Sequence, residues 1–380
     1  MHAPKLFFSR FSSPLFSPFL SLFAAFFLLA GCAKDDAPVA RTPDGTLLEQ
    51  TQIRYLGAAG YVDVLELAAD LGYLDPLRLE YVGISQGGPQ GIQTLLSGDV
   101  DISSSSFNSA IVKVVASGAP VIAVIASYGY DTPEDSFLSQ GGYFVREDSG
   151  IDGPRDLIGK KIAVNALGAQ AELYLSEYML RGGLTKNEIK QVELIVIPPV
   201  SMEQSLRQGQ VDVAQFYWPS AQGGVRKLFS SEDLFSHFTA GSYMMSSRYL
   251  RANPNTARHV VGGMAKAIEW ARSRPRAEVH ERFRQIIARR DRNENDRLIP
   301  FFTGYGIPSR GGVLKDEDFE IWRDWLIADG QIEAGAVELK KVYTNAFNPY
   351  ASDKDTSDKN APDKNANHER VNHENGTSSP

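Results

Sequence analysis

The chain has 380 residues, 43% of them hydrophobic and 22% charged, with a formal net charge of −7. These are globular values for a chain long enough to build two cores. The acidic balance, with no basic stripe interleaved with aromatics, excludes nucleic acid as the main partner.

Met1 to Cys32 reads as a targeting segment. Lys5 and Arg10 give a positive start with no acid, Phe11 to Ala30 is mostly apolar, and Leu29-Ala30-Gly31-Cys32 is a lipobox. Small residues before the cysteine suit cleavage, and its thiol then accepts diacylglycerol. Residues 1–31 are therefore expected to be a lipoprotein signal peptide, with Cys32 the lipidation site. An uncleaved membrane anchor is the other reading. Cys32 is the only cysteine, which excludes disulfides, cysteine catalysis and cysteine zinc sites in the mature fold. No later apolar run is long enough to span a membrane. Residues 32–51 read as a lipid-anchored linker. Residues 351–380 are Asp-, Lys-, Asn- and Ser-rich and read as a disordered polar tail.

Ile53-Arg54-Tyr55-Leu56 reads as a first strand, ending at Gly57-Ala58-Ala59-Gly60. Tyr61, Val64, Leu65 and Ala68 follow at helical spacing, and Gly72 stops that helix. Leu77 to Ser85 is a β-type run leading into Ser85-Gln86-Gly87-Gly88-Pro89, with Pro89 suited to a helix start. Gly83-Ile84-Ser85-Gln86-Gly87 also fits the nucleophile elbow of a serine hydrolase. It lacks an upstream oxyanion motif and comes before enough strands to flank it. Ser103, Ser104, Ser105 and Ser106 close the next strand, where they can cap a turn or contact a ligand. Val121 to Ala126 is a buried-strand run followed by Ser127-Tyr128. Gly142 to Arg146 starts another strand. Asn165-Ala166-Leu167-Gly168-Ala169-Gln170 precedes the helix 171–180, a helix start that favours anionic groups. Thr185-Lys186-Asn187-Glu188 is a capping box. Gln215-Phe216-Tyr217-Trp218 ends a strand in aromatics that can pack as core or stack on a flat ligand. Gly241 to Ser246, with Tyr243, reads as the chain's return. Asn255 to Ala288 is helical with a break at Pro275. Arg272 to Arg290 reads as a solvated face, and Trp322, Trp325 and Leu326 as packing residues.

One unit occurs twice. Leu77 to Ile84 is followed by Gln93-Thr94-Leu95-Leu96-Ser97-Gly98-Asp99-Val100-Asp101-Ile102. Val192 to Ile197 is followed by Gln204-Ser205-Leu206-Arg207-Gln208-Gly209-Gln210-Val211-Asp212-Val213. Each is strand, helix closed by glycine, strand. Such units imply right-handed crossovers and parallel sheets. The fold class is α/β, with two similar lobes, and ligands are expected beyond the carboxyl ends of the strands. No phosphate-loop, dinucleotide or zinc motif occurs, so no cofactor and no metal are expected.

The run Phe144 to Val164, the turn Gly209-Gln210-Val211-Asp212, the pair Trp218-Pro219 and Tyr343-Thr344-Asn345 resemble one family. It is that of the ABC-transporter solute-binding proteins of the nitrate/sulfonate/taurine and thiamine-precursor (pyrimidine) type. The resemblance covers residues 52–350. It implies the type II periplasmic binding protein architecture: two α/β lobes joined by two crossover strands, with the ligand cleft between them. It implies lobe 1 at 52–131 and 241–350, lobe 2 at 132–240, and closure on the ligand read by a membrane permease. Carried onto this chain, the ligand contacts are Gly57, Ala58, Ala59, Ser85, Gln86, Gly87, Gly88, Ser103, Ser104, Ser105, Ser106, Ser127, Tyr128, Gly168, Ala169, Gln170, Tyr217, Trp218 and Tyr243. The implied protein is no enzyme. It is a monomer, lipid-anchored on the extracytoplasmic (periplasmic) side, that delivers a sulfonate- or nitrate-like anion or a pyrimidine-like heterocycle to an ABC importer. A tethered receptor for a sensor protein and a hydrolase using Ser85 are the rival readings.

Overall fold

The computed structural model describes residues 40–351 apart from 86–87, 132–140, 169, 217–222 and 236, with the backbone alone at 105 and 106. The expected signal peptide, Cys32, the tail beyond 351, and the candidate contacts Gln86, Gly87, Ala169, Tyr217 and Trp218 lie outside the described residues. So do the side chains of Ser105 and Ser106.

Folding begins inside the expected linker. β1 (Ala40–Arg41) pairs antiparallel with β2 (Leu47–Leu48), burying Leu48. Glu49 then accepts hydrogen bonds from the backbone N–H and hydroxyl of Thr256, each at 2.8 Å.

β3 (Gln52–Gly57) runs parallel to β4 (Arg78–Ile84). Between them α1 (Val64–Asp70) starts where the Asp63 side chain accepts from Glu66 N at 2.9 Å, a side-chain cap on an orphan donor. Its Val64, Leu65, Leu67 and Ala68 are buried. α2 (Gly88–Ser97) leads to β5 (Ser103–Phe107), then α3 (Asn108–Ala116) and β6 (Val121–Tyr130). Ile102 bridges Tyr55 in parallel, which sets β5 beside β3.

The second lobe holds β7 (Gly142–Arg146), β8 (Lys161–Val164), α4 (Gln170–Arg181), α5 (Lys186–Ile189), β9 (Glu193–Val196), α6 (Pro199–Arg207), β10 (Val213–Phe216) and β11 (Val225–Phe229). Its sheet has the order β9-β8-β10-β7-β11, with β7 antiparallel to β10 and β11. β12 (Phe238–Ser246) then runs back between β5 and β6, antiparallel to both. The first lobe therefore repeats the order of the second, β4-β3-β5-β12-β6. In each lobe the two strands of the repeated unit flank the lobe's first parallel strand rather than pairing with each other. The helices α7 (Ser247–Ala252), α8 (Pro254–Ser273), α9 (Arg276–Arg289) and α10 (Glu317–Ala328) complete the chain. α8 and α9 part at Pro275, which has no N–H to continue the ladder.

Alternation sets which face each strand buries. In the second lobe Phe144, Ala163 and Ala214 pack with Met202 and Leu206 of α6 into a small separate core. Their neighbours Tyr143, Val145, Ile162 and Val213 join the main core.

Three expectations change. Ser103 to Ser106 lie within β5 itself, because the strand continues to Phe107 before α3 begins. Tyr243 is 1% exposed in the centre of β12, and its hydroxyl accepts from Leu65 N at 3.3 Å. It is a core residue under α1 and not a cleft contact. Arg290, expected on a solvated face, has a side chain that is only 9% exposed.

Candidate functional site

The parallel strands of both lobes end towards the loops that the sequence singles out. At the end of β3, the Gly57 carbonyl accepts from Ser85 N at 2.9 Å, which joins the loops after β3 and β4. A Cβ at Gly57 would lie 2.8 Å from Arg292 Nη1 and 3.2 Å from the Tyr81 ring, so only glycine fits below this roof. Arg292 stacks 3.7 Å above the Tyr81 ring and donates to Glu66 Oε1 at 2.7 Å and to the Tyr55 hydroxyl at 2.6 Å. Arg290 donates to Glu66 Oε2 at 2.5 Å and pairs with Glu294 at 2.6 Å, while Gly60 N donates to Glu294 Oε2 at 2.6 Å. With Asp63, this makes three carboxyls and two guanidiniums packed together out of water. Burial, and then the Glu66 carboxylate, push the Asp63 carboxyl up to about 7.

The lobe junction is built differently. Gln170 opens α4 at 2% exposed and its Nε2 donates to the Tyr174 hydroxyl, leaving Oε1 with no hydrogen-bond partner among the described residues. Turning the amide over leaves the other polar atom alone instead. Tyr174 sits 6.2 Å from Trp322 of α10 and 6.5 Å from Tyr130 of β6, ring centre to ring centre. Trp322 is fully buried and its indole N–H is likewise unpartnered among the described residues, as is the hydroxyl of Ser127, 6% exposed on β6. Buried polar atoms without partners are uncommon, and those of Gln170 and Trp322, which share Tyr174 as a neighbour, call for an explanation. Tyr128 of β6 stands edge-on to Phe107 of β5 at 5.6 Å, across the intervening β12.

Lys113 reaches from α3 to this junction. Its ammonium donates to Gln331 Oε1 at 2.7 Å, and a Cβ at Gly168 would lie 3.0 Å from it. No carboxylate stands within 4.0 Å of that ammonium among the described residues. On the other side of the loop, Gly168 N donates to Glu172 Oε2 at 2.7 Å. The donor at the start of α4 is thus held by the helix's own carboxylate.

Of the residues singled out from sequence, Gly168 and Gln170 belong to this junction, and Ser127 lies on β6 three residues before Tyr130. Tyr128 lies beside Ser127 on β6. Gly57 lies beneath Arg292 and is hydrogen-bonded to Ser85, Ala58 and Ala59 follow it in the chain, and Gly88 starts α2. Ser103 is buried and Ser104 half-buried within β5. Sequence reasoning missed Lys113, Trp322, Arg290, Arg292 and Glu294. One signal was present: Glu66 stands amid Val64, Leu65, Leu67 and Ala68, and a charge in a buried helix face demands cations.

Ser85 follows β4, an edge strand paired only with β3 among the described residues, whereas a nucleophile elbow needs flanking strands. His237 contacts Asp131, His259 the Asp75 carbonyl and His280 the Phe302 carbonyl. Among the described residues no cluster of His, Cys, Asp and Glu could hold a metal ion, and no helix is long and apolar enough to cross a membrane.

The fold is that of known binding proteins. The alkanesulfonate-binding protein SsuA from Xanthomonas axonopodis pv. citri, bound to MOPS, matches with a TM-score of 0.60 at 20% identity, over 78% of this chain and 99% of that one. The periplasmic nitrate-binding protein NrtA from Synechocystis PCC 6803 matches at 0.58 and 14% identity, over 79% and 88%. The desulfurization enzyme DSZB matches at 0.55 and 16% identity, over 78% and 97%. No curated protein matches the chain by sequence. The type II periplasmic binding protein architecture read from the sequence is therefore the observed one. The NMT1/THI5-like family model matches residues 65–278, and the chain belongs to that family.

Proposed function

We propose that this chain is an extracytoplasmic solute-binding protein that captures a small solute bearing an anionic oxygen group between its lobes. An ABC permease in the membrane would receive the closed, loaded form. Lobe 1 would comprise 52–131 and 241–350 and lobe 2 would comprise 132–240, in a monomer tethered through Cys32.

The observation that carries this reading is the Lys113 ammonium. It projects from the first lobe to the Gly168 loop of the second, at the start of α4, with no ion-pair partner among the described residues. A cation beside a helix start favours an anion. Trp322 Nε1, beside Tyr174, supplies a further donor that has no partner among the described residues. A solute touching both walls would stabilise the closed state by its differential affinity. Binding proteins for alkanesulfonate and nitrate share this fold.

A neutral heterocycle is the second reading, and two observations favour it. Glu172 already takes the Gly168 N–H, and Gln170 with Trp322 offers an acceptor and a donor beside the rings of Tyr174 and Phe238. A flat solute with one donor and one acceptor would match them. The desulfurization enzyme is a precedent for turnover in the fold, and a cysteine-to-serine mutant of it is solved with biphenyl-2-sulfinic acid. The only cysteine of this chain is Cys32.

A thermal-shift series on the wild type and Lys113→Gln separates these readings. Ligand at roughly a hundred times its dissociation constant adds about 2.7 kcal/mol, a shift of a few degrees. Taurine, alkanesulfonates or nitrate should shift the wild type and lose that shift in Lys113→Gln. A pyrimidine shift kept by Lys113→Gln would install the second reading. Silence from both classes in folded, ligand-free protein would sink solute capture at this junction.

A further inference from the structure

A second site lies at the other end of the first lobe. A cavity of about 350 Å³ is lined by Gln52 and Arg54 at the start of β3, Asp101 before β5, and Ser246, Arg248 and Tyr249 at the end of the antiparallel β12 and the start of α7. These are the amino ends of the parallel strands. The cavity therefore opens on the side of the sheet away from the loops at Gly57 and Ser85, and no part of the proposed solute junction contributes to it.

Its lining is polar and rich in donors. Arg54 grips Asp101 with Nη2 to Oδ1 at 2.7 Å, Nε to Oδ2 at 3.1 Å and backbone N to Oδ2 at 2.9 Å. That consumes the carboxylate completely. The Arg248 guanidinium makes no hydrogen bond or ion pair among the described residues, although Nη2 lies beside Gly98. The Gln52 carboxamide has no hydrogen-bond partner among them either. The Tyr249 hydroxyl is enclosed and has no partner among the described residues. Arg54 is spent on Asp101, with Glu80 also within its electrostatic reach, which leaves Arg248 as the lining guanidinium with no carboxylate within 4.0 Å among the described residues. Arg248 is exposed at the cavity mouth, so its donors are open to an incoming anion, and an enclosed hydroxyl without a partner costs stability. A volume of this size suits a small metabolite.

We propose that this cavity binds a small carboxylate- or phosphate-bearing solute. Its anionic group would pair with Arg248, and the Tyr249 hydroxyl and Gln52 would orient the remainder. The site sits where β3, β5 and β12 come together, and β12 is a strand that passes between the lobes. An anion held there is placed to report on, or bias, the path of that strand.

Isothermal titration of the full chain with succinate, citrate and inorganic phosphate tests this. Variants Arg248→Gln, Arg248→Glu and Tyr249→Phe are run beside Lys113→Gln. At least one anion should bind with a dissociation constant near or below about 1 mM. Arg248→Gln should weaken it tenfold or more, Tyr249→Phe less, and Arg248→Glu should abolish it, while Lys113→Gln leaves it unchanged. Arg248 is exposed, so its variants should keep the wild-type melting temperature. Carboxylate against phosphate preference identifies the solute. Absence of binding by all three anions overturns the proposal. So does binding that survives Arg248→Glu, or that Lys113→Gln removes.

Discussion

The two lobes repeat one strand order, yet their first parallel strands finish in different ways. In the first lobe the end of β3 is roofed by Arg290, Arg292 and Glu294, brought back from more than two hundred residues away, and locked to Glu66 and Gly60. In the second, the loop after β8 is held by Glu172 of its own following helix, with Lys113 and Gln331 reaching it from outside without an ion pair among the described residues. The sheets differ to match. β6 and β12 run 10 and 9 residues, whereas β8, β9 and β10 run 4 each. The first lobe is pinned by long-range buried charge, and the second by local capping. Two lobes of one strand order need not be held together alike. Segments with few buried contacts are the ones that open at low cost.

Removing a guanidinium from the first lobe should have the largest effect. Arg290→Met leaves Glu66, Glu294 and Asp63 facing Arg292 alone. Urea unfolding should show a loss of about 3–5 kcal/mol, the usual cost of stripping one partner from a buried pair. A loss below about 1 kcal/mol would mean that the roof does not pin the lobe, and the contrast would fail.

Asp63 gives an effect of opposite sign. Its folded pKa of about 7 lies above the ordinary aspartate value of 3.8. The folded state therefore holds the proton more tightly, and this stability is complete below about pH 4 and lost as pH rises through 7. Asp63→Asn keeps the cap on α1 but cannot ionise. It should be more stable than the wild type at pH 8 by about 4 kcal/mol, roughly three pH units at ~1.4 kcal/mol each, with the gap closing by pH 4. Parallel melting curves for the two proteins across that range would rule out Asp63 as a group that strains the roof when it ionises.

The smallest effect belongs to the second lobe. Glu172→Ala frees the Gly168 N–H and should cost about 0.5–1 kcal/mol, the value of a single cap. Hydrogen exchange should localise the change to the start of α4. A cost as large as that of Arg290→Met would show that both lobes are pinned alike.

The helices, strands and two-lobe plan were legible because they rest on local rules. Period-two runs such as Val121 to Ala126, the glycines after α2 and α6, Pro275 and the Thr185–Glu188 box each act within a few residues. The repeat around Gly98 and Gly209 announced two like lobes for the same reason. Ser127, Gly168 and Gln170 could be singled out because strand ends and helix starts are local features too. Tertiary structure decided the rest, since it depends on which distant charges meet. Nothing near Gly57 in the chain announces Arg292, and nothing near Gly168 announces Lys113. Tyr243 has the look of a cleft aromatic in sequence, but β12 is a central strand with Leu65 above it. Sequence alone determined what each segment becomes. Only packing determined which side chains are left without partners, because burial and hydrogen-bond completion are properties of the assembled neighbours and not of any one stretch.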